Sequence, residues 1–148
     1  MSDAFSPTSR TLPIALLRAR EAVMEHFRPM LQKHGITEQQ WRVLRVIREA
    51  GETDASELAR NACILAPSLS RILKTLEAAD LITLRKDPAD GRRALISLTA
   101  KSQAFINEVA PESAAIYAEL ERRAGKKNIA ALMRNIEALL SALEAEGD

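Results

Sequence analysis

Apolar residues recur at three- and four-residue intervals over most of the chain, a spacing that is typical of amphipathic helices. The first such stretch covers 12–34; it ends before Gly35, and Pro29 should kink it. The second begins with the capping-box pattern Thr37-x-x-Gln40 and ends near Gly51. The pattern therefore predicts a mainly helical protein.

After the second helix the pattern changes to two short helices followed by a hairpin. Asp54 caps a third helix, and Pro67, after a turn at 63–65, opens a fourth helix. Branched residues then predict two strands, 81–86 and 94–98, whose connecting loop is longer than most hairpin loops. Such a layout is typical of DNA-binding proteins, because one helix can enter a major groove while the hairpin reaches the neighbouring minor groove.

Two long helices are predicted after the hairpin. One runs from Thr99 to about Arg123 and should be kinked or restarted at Pro111, and the other begins at Asn128. Apolar residues of the last helix alternate at spacings of three and four, which is typical of a coiled-coil seam. They are Ile129, Leu132, Ile136, Leu139 and Leu143. Together with the first helix, this helix carries more apolar surface than a small DNA-binding lobe can cover, so a homodimer is expected.

The charge of the chain is unevenly distributed. The net charge is only +1, but residues 60–101 carry eight Lys and Arg against four Asp and Glu. Residues 1–59 are balanced, and residues 102–148 have an acidic excess. The basic excess therefore coincides with the helix pair and the hairpin, as expected for a surface that meets DNA phosphates.

Composition excludes several other classes of protein. No apolar run is long enough to span a bilayer and the N-terminus has no signal-peptide core, so a cytoplasmic protein without membrane contact is expected. The single cysteine, Cys63, cannot form an intrachain disulfide, and a buried structural thiol is favoured over a redox sensor. Catalytic motifs are missing, and His26 and His34 lie too far apart along one helix to share a metal. No enzyme activity, metal or cofactor is predicted.

Two groups of residues are candidates for DNA contact. On the fourth helix, Arg71 lies opposite the apolar face, flanked by Ser68, Ser70 and Lys74. At the hairpin tip, Arg92 and Arg93 are adjacent. Contact with DNA is favoured over plain solvation in both places because the surrounding segment is basic, and the lysine and the serines are expected to touch phosphate rather than bases.

The order of these elements, with the tip sequence Asp90-Gly91-Arg92-Arg93, resembles the multiple antibiotic resistance regulator (MarR) family. The resemblance covers nearly the whole chain. Four segments also look like the branch of this family that represses homoprotocatechuate (3,4-dihydroxyphenylacetate) degradation operons. These segments are 12–23, 37–42, 63–73 and 85–90.

The resemblance implies a single MarR-like domain, residues 1–148, with a winged helix-turn-helix lobe at 37–101 and dimerisation helices at 12–34 and 102–148. The hairpin would be a two-stranded β-wing. The homodimer would place two lobes on successive major grooves of a pseudo-palindromic operator in double-stranded DNA and repress transcription. Residues matching the family's recognition helix are Ser68, Ser70, Arg71 and Lys74. Arg92 matches the arginine that enters the minor groove, and Asp90 the aspartate that orients it.

Arg20 is the candidate for sensing a small molecule. It interrupts the apolar stripe of Leu16, Val23 and Phe27, and a buried charge needs a partner. That partner is either the carboxylate of an aromatic acid or a glutamate of the second subunit. Phe27 and Trp41 are either aromatic walls for such a ligand or core residues.

Combined with the branch resemblance, Arg20 predicts a repressor that is released by a phenolic aromatic acid such as homoprotocatechuate. The alternative is a DNA-binding regulator that responds to oxidation of Cys63 or that acts without a ligand.

Overall fold

The computed structural model describes residues 7–145 of the protein. After a short 3-10 turn at Thr8–Arg10, this part of the chain forms seven α-helices and three β-strands. The helices are α1 (Leu12–Glu25), α2 (Arg28–Lys33), α3 (Glu38–Ala50), α4 (Ala55–Ala62), α5 (Ala66–Ala78), α6 (Ala100–Ala124) and α7 (Lys126–Ala145). The strands are β1 (Glu52–Thr53), β2 (Ile82–Lys86) and β3 (Ala94–Leu98). The fold is therefore mainly helical, as predicted.

The first predicted helix is two helices rather than one kinked helix. The break lies between α1 and α2, where the Phe27 N–H donates to the Met24 carbonyl at 3.0 Å. Pro29 explains the position of the break, because a proline has no N–H for the carbonyl of Glu25 and its ring clashes with that carbonyl. Proline is tolerated in the first turn of a helix, and Pro29 lies in the first turn of α2.

The predicted caps of α3 and α4 are present. The Gln40 N–H donates to Thr37 Oγ1 and the Thr37 N–H donates to Gln40 Oε1, each at 3.1 Å, which completes the capping box of α3. Gly51 ends α3 with a φ of 78°, a backbone conformation that residues other than glycine rarely adopt. Asp54 Oδ1 accepts the Glu57 N–H at 2.8 Å and so caps α4.

The hairpin belongs to a three-stranded antiparallel sheet with the order β1-β3-β2. Strand β2 pairs with β3 from Ile82 opposite Leu98 to Lys86 opposite Ala94. The prediction of a two-stranded wing missed β1, which has only two residues and is too short to show an alternating pattern. This extra strand ties the segment between α3 and α4 to the base of the hairpin.

The long C-terminal helices begin and end close to the predicted positions. Helix α6 continues through Pro111 without the predicted restart. Gly125, with a φ of 94°, separates α6 from α7, and α7 begins two residues before the predicted Asn128. The Asn128 side chain instead donates to the Ala124 carbonyl at 2.8 Å, so this residue caps the end of α6.

The chain divides into two compact units. The first, here called the lobe unit, consists of residues 24–111, so it includes residues 24–34 and 102–111 that the sequence assigned to the dimerisation helices. Its core contains apolar side chains that are 2% exposed or less. They are Val43, Leu44, Ile47, Leu58, Ala62, Leu69, Leu76, Ile82, Ile96, Ile106 and Val109.

The second unit, here called the terminal-helix unit, consists of the described residues up to Val23 and from Glu112 onward. Neither α1 nor α7 buries any residue in the single chain. Leu16, Leu140 and Leu143 remain 42%, 49% and 63% exposed. The apolar stripes of the terminal helices are therefore only partly covered in the single chain. Within the described residues, no helix has an apolar stretch of the length that a bilayer requires.

Candidate DNA interface and effector residues

Helix α5 packs on the lobe core by one face and presents polar residues on the other. Leu69 and Leu76 are each 1% exposed. Ser70, Arg71 and Lys74 are exposed on the opposite side, and Ser68 is half-buried. Within residues 7–145, neither the Arg71 nor the Lys74 side chain has a hydrogen-bond or ion-pair partner. Both cations are therefore available to an external anion such as a phosphate.

The turn before α5 is held by an arginine that the sequence analysis did not single out. Arg42 Nη1, on α3, donates to the Ala62 carbonyl at 2.8 Å, and Arg42 Nη2 donates to Glu38 Oε1 at 3.0 Å. A cation at the end of a helix satisfies carbonyls that have no partner within the helix. Arg42 therefore fixes the end of α4 relative to α3, from which the chain turns into α5.

Cys63 lies in that turn and is exposed, so the expectation of a buried structural thiol is wrong. The residue follows the end of α4 in the left-handed conformation, with a φ of 55° and a ψ of 49°. In that conformation the chain reverses direction, and the next apolar side chain, Ile64, is the one that enters the core at 7% exposed.

The wing loop is held by its own aspartates. Asp87 Oδ1 accepts the Ala89 N–H at 2.9 Å, and Asp90 Oδ1 accepts the Arg92 N–H at 3.0 Å. Main-chain hydrogen bonds from Asp87 to the Arg93 carbonyl and from Arg93 to the Asp90 carbonyl close the loop. Asp90 therefore orients the main chain beneath Arg92 rather than the Arg92 guanidinium itself.

The two adjacent arginines of the wing have different surroundings. The Arg93 guanidinium donates through Nε to Asp54 Oδ2 at 2.7 Å and through Nη1 to Asp87 Oδ2 at 3.2 Å. The Arg92 side chain has no hydrogen-bond or ion-pair partner among the residues that the structure describes. Charge and position made both arginines candidates for DNA contact, and only the family resemblance singled out Arg92; of the two, the structure leaves Arg92 unpaired.

These contacts also change two acid–base equilibria. The pKa of Asp54 is lowered below 3.8, first by the hydrogen bond from the Glu57 N–H and next by the hydrogen bond from Arg93. The pKa of Arg93 is raised, chiefly by its hydrogen bond to Asp54. Both shifts favour the charged forms, so the ion pair is complete at neutral pH.

The basic segment 60–101 is therefore divided into paired and unpaired cations. Arg85 is held by Glu52 through two hydrogen bonds, Arg93 by Asp54 and Asp87, and Lys101 by the Ala79 carbonyl. Within the described part of the chain, the remaining five have no side-chain partner. They are Arg60, Arg71, Lys74, Lys86 and Arg92. The unpaired cations include the candidates on α5 and at the wing tip.

The candidate effector residues lie in different units. Arg20, on α1 in the terminal-helix unit, forms an ion pair with Glu21 at 3.5 Å, and its side chain is 45% exposed. Leu16 and Val23 are similarly exposed, so in the single chain Arg20 is not the buried charge that the sequence predicted. Within the stripe around Arg20, Leu16 and Val23 therefore remain partly exposed in the single chain.

Phe27 and Trp41 belong to the lobe unit, and their side chains are buried at 6% and 9% exposed. The Trp41 ring meets Phe105 edge-on, with centroids 6.1 Å apart, and the Arg45 guanidinium lies 5.9 Å from the Trp41 centroid. His34 contacts the same Phe105 ring at 6.0 Å. Phe105, on α6, was missed because an isolated aromatic residue in a helix gives no signal of its neighbours.

Comparison with known proteins decides the family. The MarR family model matches residues 36–94, which extend from α3 to the wing. The homoprotocatechuate degradative operon repressor of Escherichia coli is 43% identical over 111 residues, which are 75% of each chain. The chain belongs to the MarR family.

Two further MarR proteins match over a greater length. The HTH-type transcriptional regulator FarR of Neisseria gonorrhoeae is 38% identical over 134 residues, 90% of this chain and 91% of FarR. The crystal structure of NadR in complex with 4-hydroxyphenylacetate superimposes with a TM-score of 0.81 and 37% identity, covering 93% of this chain and all of the NadR chain. These MarR relatives are transcriptional regulators, so at the level of the family the chain is a regulator and not an enzyme.

Proposed function

We propose that this protein is a homodimeric, sequence-specific repressor that binds a pseudo-palindromic operator and is released by a phenolic arylacetate such as homoprotocatechuate. The observation that supports DNA binding best is the set of unpaired cations on α5 and at the wing tip. Arg71 and Lys74 lie on the exposed face of the helix, and Arg92 lies at the end of a wing whose loop is held by its own hydrogen bonds. Helix α5 would enter a major groove and Arg92 the adjacent minor groove.

A homodimer would place two DNA-binding lobes at the spacing that two operator half-sites require. Two copies of a helix-turn-helix lobe read half-sites that are about 34 Å apart, one turn of DNA, and this spacing requires a rigid connection between the lobes. The apolar side chains of α1 and α7 that stay exposed in the single chain form a surface that a second copy would bury. The operator would therefore be a pseudo-palindrome that mirrors the two-fold symmetry of the protein.

The DNA-binding part of the proposal is tested with alanine variants on an operator selected from random-sequence duplexes. Arg92→Ala should weaken operator binding severely. Lys74→Ala should weaken specific and nonspecific binding to similar extents and lower the salt slope by about 1 per subunit, as expected for a phosphate contact. Arg71→Ala should cost about 1 to 3 kcal/mol at particular base pairs if the guanidinium reads guanine.

Titrations at several salt concentrations measure these effects. Equal losses for Arg71→Ala on all sequences would reassign Arg71 to the DNA backbone. Wild-type protein that selects no duplex from the pool would contradict the proposed function as a whole.

The effector part of the proposal is supported by two relatives and by one residue. A repressor 43% identical to this chain is named for homoprotocatechuate degradation, and NadR, 37% identical, has been solved with 4-hydroxyphenylacetate. Both compounds are phenolic arylacetates, and each has one carboxylate. Arg20 offers a planar guanidinium that can bind a carboxylate through two parallel hydrogen bonds. We assign the ligand carboxylate to Arg20, and we retain Phe27 and Trp41 as candidates for contact with an aromatic ring.

Calorimetry with homoprotocatechuate tests this assignment. Arg20→Met should retain the fold and the DNA affinity but lose the ligand, whereas Arg18→Met, a matched change on the same helix, should bind it as the wild type does. For release, the ligand must bind the operator-free form more tightly, and a tenfold ratio corresponds to about 1.4 kcal/mol of coupling. If Arg20→Met binds homoprotocatechuate as tightly as the wild type, Arg20 belongs to the dimer interface instead.

A further inference from the structure

Arg93, Asp54 and Asp87, here called the wing clamp, connect two elements that are distant in sequence. Asp54 directly precedes α4, whereas Asp87 opens the wing loop. The Arg93 guanidinium reaches both carboxylates, 39 residues away in one case and six in the other. The clamp is therefore a direct link between the wing and the helix-turn-helix, in addition to the pairing of the strands.

Both carboxylates of the clamp are held in place before Arg93 reaches them. Asp54 uses Oδ1 to cap α4 and offers only Oδ2 to Arg93. Asp87 likewise uses Oδ1 for the Ala89 N–H and offers Oδ2. Because these side chains have already lost their rotational freedom, little additional ordering entropy opposes the ion pairs. The guanidinium is thus fixed in one position between two fixed acceptors.

The clamp has a consequence for charge as well as for position. Two carboxylates surround one guanidinium, so the positive charge of Arg93 is more than neutralised where it lies. A DNA phosphate that approached Arg93 would have to displace one carboxylate and would be repelled by the other. Arg92, the next residue along the chain, has no such competitor among residues 7–145.

We propose that Arg93 is a positioning residue that does not touch DNA, and that the wing clamp sets the distance between Arg92 and α5. A wing that is fixed to the start of α4 moves with the helix-turn-helix, so Arg92 enters the minor groove when α5 enters the major groove. The inference rests on the proposed DNA-binding function and assigns to Arg93 a part in it that differs from that of Arg92. Loss of the clamp should disengage Arg92 even though its side chain is intact.

A double-mutant cycle on the selected operator tests the positioning role. Arg93→Ala alone should weaken binding about tenfold or more, a fraction of the loss from Arg92→Ala. In an Arg92→Ala background the same change should alter affinity by less than about twofold, because the arginine that the clamp positions is already absent. If the losses in binding free energy of the two single variants add fully in the double variant, Arg93 contacts DNA directly.

Arg93→Lys separates the clamp from a phosphate contact. A lysine retains the charge and serves well as a phosphate contact, but it has no fork with which to bridge two carboxylates. The proposal predicts that Arg93→Lys binds nearly as weakly as Arg93→Ala. Affinity near that of the wild type would overturn it.

Asp54→Asn distinguishes the clamp from general electrostatics, because the two predict opposite changes in operator affinity. Asparagine caps a helix about as well as aspartate, so α4 is retained while the ion pair is lost. Removal of a negative charge from a DNA-binding lobe should tighten binding by general electrostatics. The clamp predicts that Asp54→Asn weakens operator binding instead.

The matched control is Glu77→Gln, which removes an exposed acid from α5 in the same lobe and should leave binding unchanged or tighter. Far-UV circular dichroism of Asp54→Asn should show a wild-type spectrum at the assay temperature. Tighter binding by Asp54→Asn would overturn the clamp. Failure of the wild type to bind any duplex would instead contradict the proposed function, so the two failures are distinguishable.

Discussion

The lobe unit and the terminal-helix unit differ in where their apolar side chains find cover. In the lobe unit, Leu44, Ile47 and Leu58 are completely buried by their own chain. In the terminal-helix unit, α1 and α7 bury no residue, although α7 carries a regular apolar seam. Apolar surface of this extent is stabilised only when water is excluded from it. The lobe unit therefore buries its apolar core within a single chain, whereas the terminal helices leave apolar side chains exposed that the proposed second copy would cover.

The largest effect is expected from placing charges on the apolar surface of α7. Ile136→Asp together with Leu140→Asp places two carboxylates on the apolar surface of α7, where a dimer would have to bury them at high cost. We expect a monomer by light scattering at micromolar concentration, with the lobe unit still folded by near-UV circular dichroism. A double variant that stays dimeric would show that α7 is not the dimer interface.

A smaller effect is expected from truncating leucines. The resulting loss of unfolding free energy should depend on protein concentration in the terminal-helix unit but not in the lobe unit. Leu44→Ala removes a side chain that is 0% exposed and should cost about 2 to 5 kcal/mol of unfolding free energy at any protein concentration. Leu140→Ala changes a side chain that is 49% exposed in the single chain, so its cost should arise mainly through dimerisation.

Urea unfolding at two protein concentrations separates these cases. The loss caused by Leu140→Ala should be evident as a change in the concentration dependence of the midpoint. If both variants lose the same free energy irrespective of concentration, the contrast between the two units is wrong.

The smallest effect is expected from lowering the pH, which should reduce the unfolding free energy that the Asp54 ion pair contributes in the lobe unit. The folded state lowers the pKa of Asp54 below 3.8. Its stabilisation is therefore fully present above that value and is lost as the pH falls through the lower, folded-state pKa. Wild type should be more stable than Asp54→Asn at pH 7, and the difference should shrink below about pH 4.

Unfolding free energies of the two proteins between pH 3 and pH 7 measure this difference. A gap that is constant over the whole range would mean that the ion pair with Arg93 contributes nothing to stability. Because the pair lies within one chain, the gap should not change with protein concentration.

Much of the fold was predictable because its signals are local. The capping box at Thr37, the cap at Asp54 and the glycine after α3 are short patterns whose hydrogen bonds join residues within one turn. The seam of α7 and the strands of the hairpin follow from periodicity alone. The break near Pro29 was predicted as a kink, because the pattern of apolar residues continues across it and only the geometry of the backbone changes.

The rest depends on contacts between residues that are distant in sequence. Nothing in the spacing of Asp54 and Arg93 indicates that they meet, so the ion pairs that separate Arg93 from Arg92 could not be predicted from the sequence. Strand β1 was missed because its two residues pair with β3, more than 40 positions later. The exposure of Cys63 follows from a left-handed main-chain conformation that cysteine composition does not indicate. The assignments of Arg20, Phe27 and Trp41 to an effector remain predictions.

The short segment around β1 has a consequence for protein engineering. Glu52 holds Arg85 of strand β2 through two hydrogen bonds, and Asp54 holds Arg93 at the end of the wing loop. Residues 52–54 thus contact the hairpin on both strands and at the end of its loop. The wing is therefore not independent of this segment. A chimera that receives residues 82–98 from another regulator while keeping its own residues 52–54 would not have the matching ion-pair partners for its hairpin. Transplants between relatives should therefore exchange both segments together.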